Sequence, residues 1–202
     1  MRTLGLVLAL ASTSLLGCGR DNPPASTTPT TTSTTAAAST TTGAAPAANA
    51  APAPTTAAAP GEVTVGKTAP SFSATTFDGK DVKLDALKGK NVVVYFYPKD
   101  ETPGCTKEAC SFRDAWKDLS ATGVVLVGIS ADDAESHKKF AEHHKLPFML
   151  VTDKDGAISS AYGVPKFGRQ TFVIGPDGNV KKIYRSVDVS KHASEVLADV
   201  KS

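Results

Sequence analysis

The chain has 202 residues, a mass of 20.8 kDa, and 22 Lys+Arg against 20 Asp+Glu, a net charge of +2. So near a balance excludes the strongly basic footprint with which a nucleic-acid-binding domain meets phosphate. Charge is nonetheless uneven along the chain. Residues 1–60 carry only Arg2, Arg20 and Asp21, and the remaining charged side chains lie in 61–202.

In chain order, Met1-Arg2 gives a short positive start and Leu4 to Leu16 an apolar run. Such a run has the length of a secretory signal and is too short for the ~20 residues that span a bilayer. It ends in Leu15-Leu16-Gly17-Cys18, which resembles the bacterial lipobox. The resemblance implies that 1–18 is a lipoprotein-type signal peptide. Cys18 is then lipidated as the mature N-terminus and anchors the protein in the cell envelope, facing the periplasm or exterior. Residues 19–60 read as a linker. From Pro23 onward only Gly43 and Asn49 depart from Ala, Thr, Pro and Ser. With no aromatic, Val, Ile or Leu the segment cannot bury a core, and Pro46, Pro52, Pro54 and Pro60 interrupt its Ala runs. We expect a disordered tether of roughly 35 Å r.m.s. reach. Its Thr- and Pro-rich composition is also compatible with O-glycosylation.

Residues 61–202 are long enough for one domain. A Phe72–Phe77 run and an Asp81–Leu84 run flank an Asp78-Gly79 turn. Asn91 to Tyr97 is a nearly continuous apolar strand, the pattern of a strand covered on both faces. Val124–Ile129 is a second such strand and Phe148–Val151 a shorter third. Thr171–Ile174 and Val180–Tyr184 flank Gly175-Pro176-Asp177-Gly178 and read as a hairpin. Helices are expected over 103–120, with Phe112, Trp116 and Leu119 on one stripe, over 133–145, and over 190–201 after a Ser190 cap. Strand–helix alternation ending in a hairpin gives an α/β fold, a central mixed sheet with helices on both faces.

The chemistry points to Cys105. A buried strand ends near Pro98, and a loop leads to Thr102-Pro103-Gly104-Cys105. Thr102 suits an N-cap and Pro103 the first helical position. Cys105 then lies in the first turn, where free N–H groups and the helix dipole favour an anion and so the thiolate, the reactive form. The carboxyl end of a strand is also where open α/β sheets place their sites. Pro-Gly before Cys105, and Lys, Glu and Asp around it, argue against burial in an apolar core.

Pro98-x-x-x-Thr102-x-x-Cys105 matches the peroxiredoxin active-site motif. The run Phe96 to Thr106 resembles the bacterioferritin-comigratory, or Q-type, subfamily. Similarity continues at Ala69-Pro70-Ser71-Phe72, Gly128-Ile129-Ser130, Tyr162-Gly163-Val164, Arg169 to Ile174 and His192-Ala193. The resemblance implies a thioredoxin-like fold. It also implies a thiol peroxidase that reduces hydrogen peroxide and organic hydroperoxides without metal or other cofactor. Cys105 would be the peroxidatic cysteine, oxidised to a sulfenic acid. Thr102 and Arg169 would bracket the thiolate and the peroxide oxygens, Pro98 would shield the pocket, and Glu108 would hold Arg169. Cys110 would resolve the sulfenic acid as an intramolecular disulfide, re-reduced by thioredoxin or an equivalent thiol donor. Relatives of this kind are often monomers.

Cys105 and Cys110 on one helix would differ by about 140° and about 7.5 Å along its axis. A disulfide wants Cα atoms within about 7 Å, so bridging demands local unwinding around 103–111. The C-x₄-C spacing argues against an envelope thiol–disulfide oxidoreductase with C-x-x-C and against a copper-delivery relative with C-x₃-C. A thiol-based redox sensor and a non-catalytic tethered domain remain alternatives. His137, His143, His144 and His192 are expected at surface positions rather than as metal ligands. Asp132-Asp133 reads as a cap, and Asp153-Lys154-Asp155-Gly156 as a turn too short for a calcium loop.

Overall fold

The computed structural model describes residues 62–202. The signal, the lipobox Cys18 and the linker read from the sequence lie outside the described residues. Seven strands and five α-helices follow one another in this order: β1 (Ser73–Thr75), β2 (Asp81–Lys83), a 3-10 helix (Leu84–Leu87), β3 (Val92–Phe96), α1 (Pro103–Asp114), α2 (Trp116–Ala121), β4 (Val125–Ser130), α3 (Ala134–His144), β5 (Met149–Thr152), α4 (Ala157–Ala161), β6 (Gln170–Ile174), β7 (Val180–Tyr184) and α5 (His192–Lys201).

Five strands form one mixed sheet in the order β5-β4-β3-β6-β7. β3, β4 and β5 run parallel, β6 pairs antiparallel with β3, and β7 pairs antiparallel with β6. β1 and β2 pair as a separate hairpin. β3 explains the continuous apolar run in the sequence. Val92, Val94 and Phe96 enter one core with Phe72, Leu84, Ile158, Tyr162 and Phe172. Val93, Tyr95 and Tyr97 enter the other with Phe112, Leu119, Phe140, Leu150 and Val196. A strand buried on both sides has no polar face to alternate with. Helices α1, α2, α3 and α5 cover the second face, and α4, the 3-10 helix and the β1–β2 hairpin cover the first.

Gly128 in β4 is required by packing. A Cβ there would meet Tyr95 Cζ and Oη at 2.7 Å and a Leu150 methyl at 2.8 Å. The expected β6–β7 hairpin forms through Gly178, whose φ of 81° suits glycine at the end of the turn. Asp177 ties this turn by accepting bonds from Asn179 N at 3.0 Å and Asn179 Nδ2 at 2.8 Å.

Three local expectations are corrected. The helix expected over 103–120 is divided at Ala115, where φ −83° and ψ 0° interrupt the ladder. Ser190 does not cap α5. Its hydroxyl and amide both donate to Asp188 Oδ1, and Lys191 takes the N-cap position with no side-chain bond. Helix α4, five residues long, was not expected, being too short to show a 3.6-residue period. Asp153 holds its start by accepting from Ile158 N, Ser159 N and Ser159 Oγ at 3.0, 2.8 and 2.6 Å.

Candidate active site

β3 runs toward the site and ends at Phe96, and the loop 97–102 turns the chain into α1. That loop is fastened by buried polar groups. Tyr97 Oη donates to Asp100 Oδ1 at 2.8 Å, Ser136 Oγ donates to Asp100 Oδ2 at 2.8 Å, and His137 Nδ1 lies 2.9 Å from the same oxygen. Asp100 N donates to Asp132 Oδ2 at 2.9 Å, and Ser130 Oγ donates to that oxygen at 2.7 Å. Burial would push the Asp100 carboxyl up, but the bonds from His137, Ser136 and Tyr97 outweigh it and hold the pKa below the usual carboxylate value. These residues link the loop to α3 and to the end of β4.

Thr102 occupies the N-cap position of α1 with extended backbone, and Pro103 begins the helix as expected. Thr106 N closes the first turn on Thr102 O at 2.8 Å. The Thr102 hydroxyl is turned to Lys99 O at 3.0 Å rather than capping the helix. Pro98 is half-buried beside the loop.

Cys105 is a free thiol and is 2% exposed, packed with Val93, Tyr95, Tyr97, Ala109 and Phe112. This corrects the expectation of an unburied cysteine. Positions 105, 108, 109 and 112 form the i, i+3, i+4, i+7 face that α1 lays on the sheet, while the exposed Lys107 points away. Arg169, one residue before β6, reaches into this buried face. Its Nη2 donates to Cys105 Sγ at 3.0 Å, and its Nη1 donates to Glu108 Oε2 in an ion pair. Cys105, Arg169 and Glu108 therefore come together as the sequence suggested.

Glu108 is fully buried. Burial pushes its carboxyl up to about 7, against the downward pull of Arg169. Arg169 is held above its ordinary value, since Glu108 and the Cys105 sulfur outweigh the effect of burial, and stays charged. Behind the pair sits His192, whose Nε2 lies 3.9 Å from Glu108 Oε1 and 2.8 Å from Thr171 Oγ1. Burial, reinforced by the Arg169 charge, lowers His192 to about 4. Glu108 Oε1 and the Tyr95 hydroxyl are also buried, with no hydrogen-bond partner among the described residues.

Cys110 lies on α1, five residues after Cys105, with Sγ 4.0 Å from His144 Nδ1. With α1 intact the two sulfurs are not bridged, since Cys105 is free. The surface expectation fails for two of the four histidines. His137 and His192 are fully buried. A signal for His137 was available, because positions 137, 140 and 141 share the inward stripe of α3. His192 carried none, as it opens a short helix whose docking angle no pattern encodes. His143 and His144 lie at the end of α3 and converge on Glu101.

Comparison with known proteins agrees with this fold. Residues 65–183 match the AhpC/TSA family. The chain is 45% identical over 146 residues to a putative peroxiredoxin bcp of Coxiella burnetii, covering 67% of this chain and 97% of that protein. It is 46% identical over 143 residues to a chloroplastic peroxiredoxin Q of Populus jackii, covering 67% of each. Among solved structures, peroxidoxin BcpB of Mycobacterium tuberculosis superposes with a TM-score of 0.65 at 33% identity, over 69% of this chain and 97% of that one. The bacterioferritin comigratory protein of Xanthomonas campestris, described for its alkyl peroxide reduction activity, gives 0.62 at 34% identity, over 64% and 89%.

Proposed function

The chain belongs to the AhpC/TSA family, among its relatives of the bcp and Q type, and from that premise we propose that Cys105, Arg169 and Glu108 are the working parts of its thiol peroxidase activity. The observation that carries the assignment is the Arg169 guanidinium, 3.0 Å from Cys105 Sγ and ion-paired with Glu108.

The Cys105 thiolate attacks one oxygen of a hydroperoxide. An S–O bond forms, the O–O bond breaks, and the leaving oxygen departs as alkoxide or hydroxide, which takes up a proton to give alcohol or water. Cys105 is left as a sulfenic acid. Negative charge moves from sulfur to the leaving oxygen along this path, so a fixed cation beside the sulfur is placed where the charge travels. Glu108 keeps the guanidinium aimed. Its burial excludes water that would otherwise compete for the same N–H groups. Thr102, at the mouth of α1, is one bond rotation from leaving Lys99 O and donating toward the peroxide, and Pro98 covers the loop beside it.

Cys110 resolves the intermediate. Its thiolate attacks the Cys105 sulfenic sulfur, an S–S bond forms and hydroxide leaves as water. A thioredoxin-like dithiol donor then reduces the disulfide. We extend the reading to the N-terminal segment: Cys18 is lipidated and 19–60 tethers a monomeric domain to the envelope side of a membrane, so the donor is an envelope thiol.

The test is peroxide consumption with an added dithiol donor, comparing the wild type with Cys105→Ser. The wild type turns over and the variant does not. Equal, slow rates for both would overturn the reading. Palmitate labelling of the wild type but not of Cys18→Ala supports the anchor, and equal labelling refutes it.

A further inference from the structure

The geometry points to a metal site built from Glu101, His143 and His144, of the kind that takes one divalent late first-row cation such as zinc. His143 Nδ1 lies 3.1 Å from Glu101 Oε1 and His144 Nε2 lies 2.9 Å from Glu101 Oε2. The ligand atoms of all three residues fall within 4.8 Å of one another. Around a tetrahedral zinc with bonds of about 2.0–2.1 Å, neighbouring ligand atoms are about 3.3 Å apart. The two histidine–carboxylate distances, each to a different oxygen of Glu101, would open by a few tenths of an ångström, and the remaining spacings, at most 4.8 Å, would settle toward the same value. Two imidazoles and one carboxylate also form a ligand set suited to zinc, with the fourth position left to water.

The backbone sets this convergence up from two sides. Glu101 has a φ of 57°, a left-handed conformation rare outside glycine. It sits in the loop where Asp100 is fixed to His137 of α3. His143 and His144 are the last two residues of α3, with ring centroids 4.4 Å apart. The helix C-terminus carries the negative end of the dipole and favours a cation. His143 is 71% exposed and Glu101 45% exposed in their side chains, so an ion reaches the site from solvent.

Occupancy has a consequence that rests on the peroxidase reading. Glu101 is two residues before Pro103, where α1 starts, and His144 borders Cys110. A cation shared by Glu101 and α3 pins the end of α1 that must unwind for Cys110 to reach Cys105. At 100 times its Kd, a ligand bound only to the wound form suppresses the unwound form about hundredfold. Disulfide formation slows accordingly.

The first arm titrates zinc into full-length metal-free Cys105→Ser, which cannot turn over peroxide. It should bind one zinc per chain, and adding His143→Ala or Glu101→Gln should each weaken it at least about tenfold, or 1.4 kcal/mol. Zinc binding no tighter than about 1 mM, or unchanged by both substitutions, overturns the site. So does a thiolate charge-transfer band in the cobalt spectrum, since that would place the metal on cysteine. The second arm oxidises the wild type with one equivalent of peroxide and follows Cys105–Cys110 bridging with zinc and with EDTA. Zinc should slow bridging in the wild type and not in His143→Ala, and equal rates in zinc and EDTA overturn the regulatory half. A wild type that forms no sulfenic acid would instead refute the peroxidase reading, leaving the first arm untouched.

Discussion

Glu108→Gln separates what Glu108 does for the site from what it costs the fold. The carboxyl is fully buried, and burial raises its pKa from 4.5 to about 7 even with Arg169 in contact. A folded-state pKa above the unfolded one means that the folded chain holds the extra proton between those values. The associated stability is present in full below pH 4.5 and is lost as pH rises through 7. A difference of about 2.5 units corresponds to about 3 kcal/mol. Gln is neutral at every pH and fits the same volume, so it escapes that loss. Glu108→Gln should therefore match the wild type within about 1 kcal/mol near pH 4.5 and exceed it by up to about 3 kcal/mol at pH 8. Its peroxidase rate should fall at the same time, because a neutral amide holds Arg169 less firmly. Replacing one member of a buried pair often destabilises. The pH dependence of the difference therefore carries the test, with shared contributions from other groups cancelling to first order. Urea unfolding followed by the fluorescence of Trp116, the only tryptophan, measures it. A variant destabilised equally at both pH values, or more at pH 8, would refute the reasoning.

Other outcomes follow from the same geometry. Gly128→Ala should destabilise by about 1–3 kcal/mol, since the new methyl overlaps Tyr95 and Leu150; denaturant midpoints check this, and a neutral effect would show that Tyr95 can move. His192 is lowered from 6.5 to about 4, so its contribution is intact above pH 6.5 and lost as pH falls through 4. His192→Gln should therefore flatten the acid limb of the stability curve, and an unchanged limb contradicts the assignment. Oxidation by one equivalent of peroxide should reduce helical circular dichroism and expose Lys107 and Arg113 to trypsin in the wild type but not in Cys110→Ser. Identical protection of the oxidised and reduced chains would sink the unwinding step.

Much of the site was legible because it follows chain-local rules. Thr102-Pro103 marks a helix start, and a cysteine two residues further must sit in its first turn. The face of α1 formed by 105, 108, 109 and 112 is an ordinary packing stripe, and the chemistry rides on it. That is why Cys105 is buried although its sequence neighbours are polar. The local composition predicts the surroundings of Lys107, whereas periodicity predicts those of Cys105. Arg169 could be placed only by resemblance, because nothing near it in sequence says that β6 lies beside β3 and delivers it to α1.

The residues that escaped are those whose role depends on meeting across elements. Asp100 and His137, or Glu101 with His143 and His144, are separated by 37 to 43 positions. Each is unremarkable alone, and a histidine on a charged helix reads as a surface residue. For Asp100 and His137 the meeting has a plain physical cause. Parallel β3 and β4 place the loop after β3 and the start of α3 at the same end of the sheet, so polar groups in the first face polar groups in the second. Asp100 and His137, buried there, must pair or pay desolvation, whereas Glu101 and His143 meet in solvent at the other end of α3. The loop that sets the geometry of Cys105 is thus held from α3, and the end of α3 in turn borders Cys110. Any cycle that unwinds the start of α1 must work against those ties. The strength of the contacts between Asp100, Glu101 and α3 is therefore expected to set how readily Cys110 reaches Cys105, as much as the reactivity of either sulfur.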